Sequence, residues 1–139
     1  MKLLEIKIVT PEKVVYDSID ISSITIPTLE GEITILPDHI PLIVPLRTGE
    51  VTFMKDNTFF GVAVSGGILE KREENKLILL VERGELATDI DIDRAEEAYK
   101  RAAEIAKSES NEVEVEEARF EAMMEKELNR INVGKKWRR

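Results

Sequence analysis

From Lys2 to Val81 the apolar residues recur at a period of two. Leu4, Ile6 and Ile8 alternate with Glu5 and Lys7, which gives a strand one dry face and one wet face. Thr10-Pro11-Glu12 is a turn, and the alternation resumes through Val14 to Tyr16, Ile19, Ile21, Ile24 and Ile26, rich in β-branched residues that suit a pleated surface. Between Gly31 and Val51, short apolar runs are punctuated by Pro37, Pro41 and Pro45. Proline has no N–H for a strand partner, so Leu36 to Pro41 reads as a stiff loop with Asp38 and His39 at its tip. Val51 to Phe53 leads to a hairpin turn at Lys55-Asp56-Asn57, and Phe59 to Val64 returns. Ser65-Gly66-Gly67 reads as another tight hairpin turn, before Ile68 to Glu70, the charged turn Lys71 to Asn75, and Leu77 to Val81. About eight to ten strands with no helix between them predict an all-β, antiparallel sandwich or flattened barrel.

After Gly84 the period lengthens. Thr88 or Asp89 is placed to cap a helix, and Asp89, Asp91 and Asp93 put negative charge at its positive end. Ile92, Ala95, Ala98/Tyr99, Ala102 and Ile105/Ala106 recur at three and four, the spacing of one helical face. A break at Ser108 to Asn111 precedes a second helix from about Val113 to Ile131. Its stripe is Phe120, Met124, Leu128 and Ile131, with Ala118 and Ala122 beside it and Gly134 as the stop. The expected layout is a β-sandwich over 1–84 and an antiparallel α-helical hairpin over 85–139. Alanine at the helix contact buries little area, so at roughly 25 cal/mol per Å2 the pair is weakly held and suited to be a moving part.

Composition narrows the function more than the fold. The chain has 139 residues, 42% hydrophobic and 35% charged, enough for one modest core with a heavily solvated surface. A formal charge of -8 argues against general nucleic-acid binding, which needs a basic footprint. The absence of cysteine removes disulfides, thiolate metal sites and cysteine nucleophiles, and suits a reducing compartment. The charged, alternating N-terminus does not read as a signal peptide, and no apolar run approaches the roughly 20 residues that span a bilayer.

No catalytic constellation or metal site is expected. Ser65-Gly66-Gly67 lacks the remainder of a phosphate loop. His39 has no second histidine or cysteine to complete a site. Asp89, Asp91 and Asp93 lack the glycine and distal glutamate of a calcium loop. Glu112, Glu114, Glu116 and Glu117 read as a solvated helix start. Arg94 and Arg101, seven apart, share one helical face, as do Lys126 and Arg130, four apart. In a compact hairpin these four cations could converge on a polyphosphate, for which guanidinium forks are suited. The competing arrangement is pairing with Glu97, Glu104 or Glu127 along their own helices.

Three ordered segments carry a resemblance that spans the whole chain: Gly31-Glu32-Ile33 with Ile35 to Leu42, then Ser65 to Glu70, then Ile90 to Ala95. On these the sequence resembles the epsilon subunit of bacterial F-type ATP synthases. The resemblance implies a non-catalytic chain with a ten-stranded sandwich bound to the gamma subunit and the c-ring. It places Glu32, Asp38 and His39 at the c-ring face. It implies a hairpin that lies folded or extends toward the alpha and beta subunits to restrain ATP hydrolysis. It also implies a peripheral location at the cytoplasmic face of the bacterial cell membrane, reached through the complex.

Some members of that family bind ATP at the hairpin through [IL]-D-x-x-R-A, which Ile90, Asp91, Arg94 and Ala95 match here. By the same resemblance Glu85, Arg101 and Arg130 stand at ligand positions. Lys126 stands where the pattern has arginine, keeping the charge but not the fork. ATP is therefore expected as a regulatory ligand, with no cofactor required. The alternative is a free-standing β-sandwich adaptor whose hairpin binds an unrelated protein.

Overall fold

The computed structural model describes residues 2–108 and 114–137. Eight strands occur among them: β1 (Leu4–Val9), β2 (Val14–Ile21), β3 (Ser23–Thr28), β4 (Gly31–Ile35), β5 (Leu42–Leu46), β6 (Gly49–Lys55), β7 (Thr58–Lys71) and β8 (Lys76–Leu86). A 3-10 turn, Ala87–Asp89, is followed by α1 (Ile92–Ser108) and α2 (Glu114–Trp137). The alternation read from the sequence is the burial pattern of the strands. Leu4, Ile6, Ile8, Ile21, Ile24, Ile26, Ile35, Val51, Phe53, Val62, Leu69, Leu77 and Leu79 form one buried cluster between the layers.

The strands run in the order β2-β1-β8-β7-β5-β3-β4, and β6 pairs with both β3 and β7. Strands β3 and β7 each change partner along their length. Residues 58–64 of β7 pair with β6, and Gly67 to Lys71 pair with β5. The sheet thereby folds over on itself into a sandwich.

That change of partner occurs at Ser65-Gly66-Gly67, which is not a hairpin turn. The register with β8 does not slip between Ser65–Arg83 and Gly67–Val81, so Gly66 falls opposite Glu82 inside a continuous strand, without a ladder pair of its own. Both glycines have positive φ, +67° and +142°, and a Cβ on Gly67 would lie 2.3 Å from the Leu80 carbonyl oxygen. Because the strand bends there without ending, eight strands are described, the low end of the eight to ten expected from the alternation and short of the ten that the resemblance implies. The pairing is not wholly antiparallel either: β1 and β8 are parallel, from Glu5–Lys76 to Val9–Leu80. Parallel neighbours need a long connection, and here it is the intervening strands.

The turns at 55–58 and 71–76 behave as their residues dictate. Asp56 and Asn57, and then Glu74 and Asn75, adopt positive φ, which asparagine and aspartate tolerate. The change from the first compact unit to the second falls between Ala87 and Thr88. That is later than the period change at Gly84, because β8 continues through Gly84 to Leu86.

In the second unit, the apolar face of α1 is as expected: Ala95 and Ala102 are buried, and Ile92, Ala98, Tyr99, Ile105 and Ala106 are half-buried. Helix α2 differs. It passes through Gly134 to Trp137, so Gly134 is not the stop. Its contact row is Phe120, Met124, Glu127, Ile131 and Gly134, at steps of four and three. Leu128, expected in that row, lies on its flank and is 44% exposed, and Ala118 and Ala122 are exposed. The helices are antiparallel. Gly134 meets Ile92, and Lys135 Nζ lies 3.1 Å from Glu96 Oε1. Of the break expected at Ser108 to Asn111, Ser108 is still the last residue of α1, and the rest lies outside the described residues, as do the side chains of Glu112, Glu114, Glu116 and Glu117.

Candidate functional site

The start of α1 is built by the motif residues. Asp91 is the N-cap: its Oδ1 accepts the Arg94 N–H at 3.1 Å, and its carbonyl accepts from Ala95 N at 3.0 Å. Neither Thr88 nor Asp89 holds that position, since the 3-10 turn ends at Asp89. Ile90 and Ala95 are fully buried. These three residues thus fix where the helix begins and which way it faces, and so aim Arg94.

Arg94 and Arg101 project from α1 on either side of Ala98. With Glu97 and with Arg130 from α2 they line a pocket of about 310 Å3. The small Ala98 side chain leaves the space between the two arginines. Among the described residues, neither Arg94 nor Arg101 is in an ion pair, so pairing with Glu97 or Glu104 does not occupy them. Three arginines and one glutamate therefore line a cavity open to solvent, an arrangement that favours a multiply charged anion.

The two cations of α2 are placed differently. Arg130 lines the pocket while its Nη1 donates to Glu127 Oε2 at 2.7 Å. Lys126 is not among the lining residues, and its Nζ lies 3.5 Å from Glu127 Oε1. Glu85 stands on β8 opposite Ala63 of β7, in the first unit. Of the positions expected to bind a nucleotide, then, three arginines come together, three residues build the helix start, Lys126 turns to Glu127, and Glu85 belongs to the first unit. The competing arrangement read from the sequence is thus realised on α2, where Glu127 pairs with both cations, and what that reading lacked is its burial: it stands three residues after Met124 and four before Ile131, at a position the apolar row should occupy.

The loop Pro37 to Pro41 is a second candidate surface, on the first unit. Asp38 has φ of 67° and is clasped from the turn between β7 and β8: its N–H donates to Asn75 Oδ1 at 2.6 Å, and Asn75 Nδ2 donates to its Oδ1 at 3.2 Å. Lys2 Nζ lies 3.3 Å from Asp38 Oδ2. The hydrogen bond from Asn75, then that from Lys2, holds the Asp38 carboxyl below the ordinary value. His39 Nδ1 donates to the Ile40 carbonyl at 2.7 Å. Glu32 is exposed on β4, and Leu36 and Ile40 are 58% and 74% exposed beside the tip. Asn75, missed from the sequence, is legible there only as a turn residue. Among the described residues no cluster of histidine, aspartate and glutamate is arranged to hold a metal ion, and no helix is long and apolar enough to cross a membrane.

The two units define a class of protein: a β-sandwich followed by a long-helix pair. Residues 3–87 match the family model for the ATP synthase delta/epsilon chain β-sandwich domain, and residues 88–135 match that for its long α-helix domain. The chain belongs to the ATP synthase delta/epsilon chain family, as a non-catalytic subunit. It is 38% identical over 134 residues to the ATP synthase epsilon chain of Halalkalibacterium halodurans, covering 96% of this chain and 98% of that one. It is 40% identical over 115 residues to the epsilon chain of Bacillus subtilis, covering 83% and 86%. A chain in the mitochondrial ATP synthase of Euglena gracilis shares the fold, with a TM-score of 0.73 at 20% identity over 90% of this chain and 77% of that one. A chain from the central stalk and c-ring structure of the Tetrahymena thermophila enzyme has a TM-score of 0.65 at 14% identity, covering 96% and 99%. With both units matched, an unrelated free-standing adaptor has no observation in its favour.

Proposed function

We propose that the chain is the central-stalk epsilon subunit that links the rotor ring to the catalytic head and restrains ATP hydrolysis through its helical unit, with ATP as the ligand that favours the folded hairpin. The observation that carries the ATP reading is the convergence of Arg94, Arg101 and Arg130 on one pocket. Guanidinium forks match phosphate oxygens, and the three outnumber the two carboxylates beside them, Glu97 in the lining and Glu127 on Arg130. A ligand shifts a conformational equilibrium only by its differential affinity for the two forms. A pocket assembled from both helices exists only while they are paired, so its ligand favours that form.

Partner docking draws support from the outer face of the sandwich. Pro45 of β5, Ile68 of β7 and Leu80 of β8 lie directly opposite one another across three strands, and Ile43 is 71% exposed next to them. Such a contiguous exposed apolar row fits the gamma subunit as its cover. The tip formed by Leu36, Asp38, His39 and Ile40, with Glu32, fits the c-ring, and attachment through these partners makes the chain peripheral to the cytoplasmic face of a bacterial membrane.

Calorimetric titration of the isolated chain with ATP tests the pocket: heat is expected for the wild type and its loss for Arg94→Ala. Equal binding by both would reject the site. Deleting 89–139 tests the inhibitory role separately, since hydrolysis by the reconstituted complex should rise. An unchanged rate would reject that role alone.

A further inference from the structure

Glu127 sits in the contact row of α2 and is 6% exposed, where an apolar side chain would pack without penalty. A carboxylate is retained in such a place only when cations compensate it, and here both come from its own helix. Arg130 Nη1 is 2.7 Å from Oε2, and Lys126 Nζ is 3.5 Å from Oε1. These are the same two cations of α2 that a polyphosphate on the hairpin would recruit. One buried carboxylate therefore engages both, draws Lys126 to itself, and shares Arg130 with the pocket.

We propose that Glu127 is an internal competitor for the cations of the anion site. It satisfies Arg130 when the pocket is empty, lowers the affinity for a polyphosphate ligand, and so raises the ligand concentration at which the hairpin responds. The inference rests on the pocket being a polyphosphate site. Its physical basis is local: a negative charge beside Arg130 opposes the incoming anion, and each hydrogen bond that Arg130 gives to the ligand is given in competition with Glu127. The charge acts through a partly desolvated pair, so it is screened less than a surface carboxylate would be.

The test is calorimetric titration of the full chain with ATP and with tripolyphosphate. It compares the wild type with Glu127→Gln, which keeps size and hydrogen bonding without charge, and with Glu121→Gln, which removes an exposed charge of the same helix. Glu127→Gln should bind about tenfold more tightly, the order expected for removing one like charge near a partly buried site, and Glu121→Gln should stay within about twofold. Circular dichroism at 222 nm checks that the helices persist. If Glu127→Gln loses helicity, Glu127→Met, which fills the contact row with an apolar side chain, is read in its place. Unchanged or weaker binding by the charge-free variant, with wild-type binding that Arg94→Ala abolishes, overturns the competitor role and leaves the pocket standing. Silence from the wild type and from every variant overturns both.

Discussion

Gly134 of α2 lies directly on Ile92 at the start of α1: a Cβ built on the glycine would come within 2.9 Å of Ile92 Cγ1 and 3.2 Å of Ile90 Cγ2. The atom in the way is close to the Ile92 backbone and β-branched, so it cannot swing aside as the end of a long chain would. A glycine inside a helix ordinarily costs about 1 kcal/mol relative to alanine. Here alanine brings an overlap that costs about 1–3 kcal/mol to relieve, so the sign reverses. Gly134→Ala is therefore expected to destabilise the helix pair slightly, and Gly134→Leu to separate it. Thermal melts followed at 222 nm check this, with an upward shift for Gly134→Ala as the contrary result.

Asp91 caps α1 through its side chain, and the cap also sets the direction of Arg94, whose N–H it accepts. Replacing the cap by alanine should cost about 1 kcal/mol, whereas asparagine at the same position should cost nearly nothing. Asp91→Ala is thus expected to lower helicity near the start of α1 and weaken ATP binding, with Asp91→Asn close to wild type in helicity. Urea titrations of the two variants by circular dichroism decide it. Equal midpoints would show that the hydrogen bond does not hold the helix start.

These two positions also show where a sequence is readable. The strands were legible because Leu4, Ile6, Ile8 and their like each pack against neighbours whose identity does not matter, only their face. Gly134 was not, because a glycine near a helix end signals a stop as readily as a close approach, and only the remote Ile92 distinguishes them. Ser65-Gly66-Gly67 misleads for the same reason: positive φ serves a hairpin turn or a bend within one strand, and the choice lies with β5, β6 and β8. The parallel neighbour of β1 left no local trace at all. In the site, spacing placed Arg94 and Arg101 on one face, but the arrival of Arg130 depends on the helix-pair register. The diversion of Lys126 depends on the burial of its own neighbour, Glu127, against the apolar pattern.

The clasp between Asp38 and Asn75 carries a pH dependence whose sign follows from its cause. The native carboxyl titrates below its ordinary value of 3.8, chiefly because Asn75 donates to it. The clasp therefore contributes fully above the ordinary value and is lost as pH falls through the lower native one. Asn75→Ala should raise the Asp38 midpoint toward the ordinary value and loosen the Pro37–Pro41 loop at neutral pH. A carboxyl-carbon NMR titration of Asp38 in the wild type and in Asn75→Ala checks the midpoint, and amide hydrogen exchange of the loop checks the loosening. Coincident Asp38 curves for the two proteins would show that Asn75 is not the cause.

Gly67 offers the severest test of the sandwich, since space and backbone conformation oppose any side chain there at once. A Cβ would lie 2.3 Å from the Leu80 carbonyl oxygen and 2.8 Å from Val81 Cα, and the φ of +142° is one that L side chains rarely adopt. Backbone atoms of β8 cannot move away without breaking the pairs around them, from Ser65–Arg83 to Ile68–Leu80. Gly66 differs, because at φ +67° its nearest neighbours are the carboxylate atoms of Glu82 at 3.4 Å, the movable end of a side chain. Gly67→Ala is expected to cost about 3 kcal/mol or more, combining strain with overpacking, whereas Gly66→Asn should cost about 1 kcal/mol. Chemical denaturation of the first unit's β signal separates the two. Equal losses would mean that the bend of β7 tolerates a side chain at its tightest point, and that the corner is not what holds the two layers in register.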